Sequence, residues 1–312
     1  MTRPKVIVIV GPTAVGKTSL SIALAKEYDG EIISGDSMQI YKNLNIGTAK
    51  VSLAEQEDIP HHLIDEVTVN NRYSVSDFQK KGRLLIQNVT ARGKIPIIVG
   101  GTGLYIESLL YDVSLGGTGE NDLDFRAQKE SEVELHGVEH LWSQLEKLDP
   151  ASAKAIHANN VRRVIRALEV YHTTGIPFSK YQEEREEKEP LFDEKIIGLT
   201  TERSILYDRI NKRVYRMIEQ GLESEAKWLF DQNLKDSQAM QGIGYKEWIP
   251  YFENNDSIEN VIAEIQQKSR RYAKRQLTWF RNRTKSVSWW DLVTEPETEM
   301  KLKEEINSFL TV

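Results

Sequence analysis

Gly11, Gly16, Lys17 and Thr18 stand in a spacing that can grip a phosphate chain. Residues 11–18 read Gly-Pro-Thr-Ala-Val-Gly-Lys-Thr, the P-loop frame of two glycines with four residues between them, followed by lysine and a hydroxyl. The glycines let the backbone N–H groups of the segment, through Pro12, Thr13, Ala14 and Val15, turn inward around an anion. A helix opening near Lys17 would add its positive end and unpaired donors. Lys17 would then lie against the terminal phosphates, and the Thr18 hydroxyl would ligate a magnesium ion. A glycine-rich turn with an incidental lysine is the blander alternative. The apolar run Val6–Val10 directly ahead favours the phosphate loop, a nucleotide- or ATP-binding signature in many proteins. The expected ligand is a di- or triphosphate.

A second stretch could bind a polyanion. Between Lys268 and Lys285 stand eight lysines or arginines and no acid, in a chain whose net charge is −6. Solvated helix faces usually alternate sign, so this local patch reads as an electrostatic footprint for nucleic acid. By contrast, Glu183–Glu194 holds seven acids and two bases.

The elements that must position these residues alternate. Val6–Val10 reads as a strand buried on both faces. A helix runs to about Glu27, followed by a short strand Glu31–Ser34. Ser74–Arg92 is helical by the recurrence of Val75, Phe78, Leu85, Ile86 and Val89. Ile95–Val99 is another strand, closed by Gly100-Gly101-Thr102-Gly103 and a further helix. Strand, loop and helix in repetition predict an α/β fold: a P-loop NTPase-like core with a parallel β-sheet flanked by helices. Ligands of such sheets gather at the carboxyl ends of the strands, so the P-loop, Asp36-Ser37 and Gly100–Gly103 should share one cleft. Gly116-Gly117-Thr118-Gly119 breaks the pattern as a hinge, and Phe125 to Tyr181 reads as wholly helical. The expected organisation is a core at 1–116, an all-helical insertion at 117–188, and the core resuming at 189–312. There a strand Lys195–Thr200 is followed by helices.

Composition narrows the class further. Hydrophobic content of 39% and charged content of 28% are ordinary for a globular protein. No apolar run reaches membrane-spanning length, and the early first strand leaves no room for a signal peptide. The absence of cysteine excludes disulfides and thiolate chemistry and fits the cytoplasm.

Several blocks, taken in order, resemble one family. They are Gly11–Thr18, Asp36-Ser37-Met38-Gln39-Ile40-Tyr41, Ile46-Gly47-Thr48-Ala49-Lys50, His61-His62-Leu63-Ile64-Asp65, Gly100-Gly101-Thr102-Gly103-Leu104-Tyr105, Arg166–Tyr171 and Tyr272–Arg281. The set closely resembles the tRNA dimethylallyltransferases, or tRNA isopentenyltransferases, across essentially the whole chain. The resemblance implies transfer of a dimethylallyl group from dimethylallyl diphosphate to the exocyclic amine of the adenosine 3′ of the anticodon. It implies a magnesium ion, the tRNA anticodon stem-loop as partner, a monomer and no membrane.

By the same resemblance, Asp36 is the candidate base, with a helix cap or outer-shell ligand as its alternative. Ser37, Met38 and Gln39 would line the adenine pocket, and Thr102 would contact the base or seat the diphosphate. Arg209 and Arg213 would clamp the diphosphate beside Lys17. Arg126, Asn160, Val161, Arg162, Arg163 and Arg166 would meet the RNA from the insertion. Gln241, Gly242, Gly244, Tyr245 and Lys246 resemble a further tRNA-contacting loop. Lys274, Arg275, Gln276, Trp279, Phe280 and Arg281 would contact tRNA from the C-terminal block, which interleaves Tyr272 and the other aromatics with cations as extruded bases require. Core packing is the competing reading for Trp279 and Phe280. The segment His157-Ala158-Asn159-Asn160 departs from the expected His-Pro-Asn-Asp, which puts a helix start or polar contact in doubt. The absence of a zinc-finger-like extension resembles the bacterial type. For His61, His62, Tyr73 and His157, local hydrogen bonding is expected rather than metal ligation.

Two rivals remain at this point. A P-loop small-molecule kinase would need ATP and leaves the basic aromatic C-terminus unexplained. An RNA-binding module with a nucleotide switch would also need ATP or GTP. No apolar strand ends in an aspartate that reads as the usual magnesium-holding partner of an ATP-driven P-loop, which weighs against both.

Overall fold

The computed structural model describes residues 3–112, 122–181 and 190–311. The chain divides into two compact units, Met1–Leu110 with Leu191–Val312, and Tyr111–Pro190. The hinge expected at Gly116–Gly119, the boundaries expected at 117 and 188, and the charged run up to 189 lie outside the described residues.

Along the chain, β1 (Lys5–Val10) enters the phosphate loop and α1 (Lys17–Glu27) leaves it. There follow β2 (Gly30–Ser34), the short α2 (Leu53–Gln56), β3 (His61–His62), α3 (Val75–Ala91), β4 (Ile95–Gly100) and α4 (Gly103–Leu110). The second unit holds α5 (Leu123–His136), α6 (Val138–Leu148), α7 (Pro150–Ala155) and α8 (Val161–Thr174). The first unit resumes with β5 (Asp193–Leu199), α9 (Arg203–Glu219), α10 (Leu222–Asp231), α11 (Ile249–Phe252), α12 (Ile258–Arg283), β6 (Val287–Trp290) and α13 (Glu299–Thr311).

The six strands form one parallel sheet in the order β3-β2-β4-β1-β5-β6. Val6 to Val10 are fully buried, as a central strand covered on both faces requires. The chain moves to one side of β1 for β2 and β4 and to the other for β5, so β1 sits at the topological switch point. A crevice at the carboxyl ends of its strands is where such sheets take ligands. A local signal accounts for the start of α3. Ser74 and Asp77 form a reciprocal capping box that opens α3, satisfying donors the helix cannot.

Two edge strands escape the sequence reading. β3 spans two residues, and β6, expected as helix, pairs with β5 through Val287–Trp290. Segments this short carry no resolvable period; only the neighbouring strand makes them extended.

The second unit, helical among its described residues, packs Leu141, Leu145, Val164, Ile165 and Leu168 into its own core. α8 begins at Val161, after an Asn160 that makes no side-chain cap.

Candidate active site

Three strand ends meet in the first unit. At the end of β1, Lys17 Nζ folds back to donate to the Pro12 carbonyl at 2.6 Å. Arg209 Nε donates to the Ala14 carbonyl at 2.8 Å, so Arg209 fastens the loop from outside. Arg213, four residues on along α9, lies within electrostatic reach of both Lys17 and Asp36. Burial of the Lys17 ammonium, then the Arg213 charge, pull its pKa from 10.5 down to about 7, with Asp36 acting the other way. Burial also lowers the Arg213 guanidinium, again opposed by Asp36. Two crowded, poorly solvated cations beside one carboxylate form a receptacle for additional negative charge. Thr18 is exposed in the first turn of α1.

At the end of β2, Asp36 Oδ1 accepts from the Met38 amide at 2.8 Å and the Gln39 amide at 3.4 Å. The carboxylate thus caps a turn through one oxygen, where the alternative reading expected a helix start. Among the described residues, Oδ2 accepts no hydrogen bond. Thr102, at the end of β4, accepts from the Ser37 amide at 3.3 Å and donates to its hydroxyl at 3.5 Å. Gln39 takes a bond from Ser34 Oγ at 3.1 Å and donates to the Thr48 carbonyl at 3.3 Å. Asp36 and Gln39 are thus bonded to each other, and the adjacent Ser37 to Thr102.

α12 closes the arrangement with a buried amide. Gln276 Oε1 accepts from the Thr13 amide at 3.1 Å, and its Nε2 donates to the Gly101 carbonyl at 3.0 Å. A Cβ at Gly101 would come 1.9 Å from that Nε2, so only glycine admits the bond. Gln276, expected to meet tRNA, is instead a staple between the phosphate loop and the β4 loop. Tyr272, one turn earlier, brings its phenol to the same place. Burial first, and then the Asp36 charge, push it up to about 12, while bonding to Thr102 and Gln276 and the Arg275 charge act the other way. The sequence reading had Tyr272 only as one aromatic among the cations; helical spacing from Gln276 was the available signal.

Phe280 is fully buried, which resolves the packing alternative in its favour and removes it as a stacking face. Trp279 is half-buried against Gly103, with the Arg283 guanidinium 4.9 Å from its ring centroid. Lys274, Arg275 and Arg281 are exposed, Arg275 lying over Tyr272 and Arg281 over Trp289. Lys268 is committed to Glu247 and Glu264, and Arg270 to Asn211. In the 241–246 loop, Gly242, Gly244 and Tyr245 are buried, while Gln241 and Lys246 are half-buried. Tyr245, with no exposed surface, is therefore corrected from an RNA contact to an internal one.

In the second unit, Arg126 and Arg166 converge on Glu169, at 2.7 and 2.5 Å. Burial would raise that carboxyl, but the two guanidiniums hold it below its usual range. Arg162 and Arg163 are exposed on α8. His61, His62 and His157 each find a hydrogen-bond partner, as expected: the Ile59 carbonyl, Glu31 and the Asn159 amide; Tyr73 does not, since its buried hydroxyl has no partner among the described residues.

The chain resembles known proteins along nearly its whole length. A model of the family described as IPP transferase matches residues 39–283. A tRNA dimethylallyltransferase of Bacillus cereus is 53% identical over 96% of this chain and 94% of its own. One from Enterococcus faecalis is 52% identical over 98% and 97%. Among solved structures, the full-length tRNA isopentenylpyrophosphate transferase of Bacillus halodurans is 45% identical, with a TM-score of 0.74 over 99% of this chain and 97% of that one. A eukaryotic dimethylallyltransferase solved acting on tRNA is 32% identical, with a TM-score of 0.83 over 98% and 79%. With half of its residues shared along nearly its whole length, this chain belongs to the IPP transferase family, the tRNA dimethylallyltransferases.

Proposed function

We propose that this chain transfers a dimethylallyl group from dimethylallyl diphosphate to the exocyclic amine of the adenosine 3′ of the anticodon in tRNA. The observation that carries the reading is the grouping of Lys17 at the start of α1, Arg213 within α9 and Asp36 after β2. A phosphate-loop cation pair beside a carboxylate suits a reaction with an anionic leaving group and a nucleophile that sheds a proton.

The bond from the allylic C1 to the diphosphate oxygen breaks as the adenine N6–C1 bond forms. Backbone donors of residues 11–18, with Lys17 and Arg213, receive the charge that grows on the departing diphosphate. The amine is a poor nucleophile because its lone pair is delocalised into the ring. Asp36 Oδ2 accepts its proton as bonding proceeds, while Oδ1 keeps the carboxylate oriented through Met38 and Gln39. Thr102 and the half-buried Ser37, Met38 and Gln39 hold the extruded base. The exposed Thr18 hydroxyl in the first turn of α1 would help to hold a magnesium ion, which would supply further positive charge to the leaving group. Lys274, Arg275, Trp279 and Arg281 on α12, Gln241 and Lys246 nearby, and Arg162 and Arg163 on α8 are the proposed tRNA contacts. The proposed setting is the cytoplasm, as a monomer on the anticodon stem-loop. Among the described residues, no helix is long and apolar enough to cross a membrane.

Diphosphate release tests this directly. With magnesium, tRNA and dimethylallyl diphosphate, one diphosphate should appear per tRNA consumed, and none when tRNA is omitted or ATP replaces the isoprenoid. ATP turnover with a metabolite in place of tRNA would favour the kinase.

A further inference from the structure

Glu225, on α10, has no part in the chemistry above, yet its carboxylate gathers more bonds than any group in the site. It accepts from the Asn45 amide at 2.8 Å, the Ile46 amide at 2.9 Å and the Gly47 amide at 2.9 Å. It also accepts from the Tyr245 hydroxyl at 2.7 Å. Three successive backbone donors turned onto one anion form a concave nest, here filled from within the protein. The fit is close. A Cβ at Gly47 would come 2.6 Å from the Tyr245 ring, so glycine alone lets loop 44–50 seat on that phenol.

The loop so held is tied to the acceptor group. Its Thr48 and Ala49 carbonyls accept from Gln39 Nε2 at 3.3 and 3.5 Å. Lys50 bonds the Tyr41 carbonyl at 2.8 Å and Asp65 at 2.6 Å. On the other side, a Cβ at Gly242 would come 2.6 Å from Met38 Cε. Glu247 accepts from the Gly244 amide at 2.8 Å and faces Lys268 of α12 at 3.2 Å. One carboxylate on a neighbouring helix therefore couples loop 44–50 and loop 241–247, and through them Met38 and Gln39.

We propose that Glu225 is a positioning residue for the acceptor nucleotide, fixing the two loops that hold Met38 and Gln39 in place without touching substrate. The proposal rests on the transferase reading for what those side chains receive. It places the effect on the tRNA half of the reaction and leaves the phosphate loop, which makes no bond to Glu225, unaffected.

The test uses full-length Glu225→Ala and Glu225→Gln. Three quantities are measured: steady-state kinetics against tRNA, the affinity for inorganic diphosphate by calorimetry, and amide hydrogen exchange. Misplacement on the order of 1 Å costs reactions about 100-fold, so Glu225→Ala should lose ~10- to 100-fold in kcat/KM for tRNA. Glu225→Gln, which keeps one acceptor oxygen, should fall between it and the wild type. Diphosphate affinity should stay within about two-fold of wild type, and exchange should rise at residues 45–47 while β1 and β4 stay protected. Wild-type kinetics in Glu225→Ala would overturn the proposal. So would a joint loss of tRNA kinetics, diphosphate affinity and protection in β1 and β4, which marks a structural residue only. A wild-type chain that modifies no tRNA would sink the transferase reading instead; the clamp is then judged by whether exchange rises at 45–47 alone.

Discussion

Under the proposed chemistry Asp36 would carry two tasks on one carboxylate, divided between its two oxygens. Oδ1 caps the turn that presents Met38 and Gln39, and Oδ2 is left for a proton. Asp36→Asn keeps the capping oxygen and removes the base, so its kcat should fall by ~10²–10⁴ with tRNA affinity retained. Asp36→Ala should show the same chemical loss plus ~1 kcal/mol of destabilisation from the missing cap. Rapid-quench kinetics with thermal melts distinguishes these; near-normal turnover in Asp36→Asn would exclude Asp36 as the base. Lys17 gives a second test. Its pKa near 7 in the free protein leaves the amine mostly neutral at pH 8, and a bound diphosphate favours the ammonium. Binding at pH 8 should therefore take up about one proton, and affinity should weaken as pH rises above 7. Calorimetry in buffers of differing ionisation enthalpy reads the uptake. No uptake would mean that Lys17 is already charged before the ligand arrives.

At the scale of elements, α12 is divided by face. Ala273, Gln276 and Phe280 are buried, and Gln276 staples two loops of the site. Lys274, Arg275 and Arg281 face solvent. Replacing Lys274 and Arg275 together by alanine should weaken tRNA binding and flatten its salt dependence by ~1.4–1.8 in log–log slope, two phosphate contacts. Filter binding across salt concentrations measures this, and an unchanged slope would place the footprint elsewhere. In the second unit the element that matters is α8, organised by Glu169. Because Arg126 and Arg166 hold its carboxyl below the usual range, its contribution is present above the ordinary carboxylate pKa and lost as pH falls through the lowered one. Glu169→Ala should destabilise that unit by ~3 kcal/mol by leaving the guanidiniums without their buried partner. A melting profile unchanged from wild type would contradict this hub.

At the scale of the whole molecule, what was legible in the sequence was local. The phosphate loop is a contiguous frame behind an apolar strand, and the alternation of β1, α1, β2, α3 and β4 repeats within a few dozen residues. The unread parts are contacts between distant segments. Glu225 reaches residues 45–47 across about 180 positions, with nothing in its own neighbourhood to announce it. Whether Phe280 or Trp279 faces the core depends on the phase of α12 against the sheet, and β6 becomes a strand only through β5. One chemical event is central to the proposed function, the joining of an isoprenoid carbon to an adenine nitrogen. The most direct measurement is nuclease digestion and mass spectrometry of tRNA after incubation with this protein and dimethylallyl diphosphate. The predicted result is one dimethylallyl group on the exocyclic amine of the adenosine 3′ of the anticodon, lost in Asp36→Asn. Unmodified adenosine at that position, or a phosphorylated product formed from ATP instead, would contradict it.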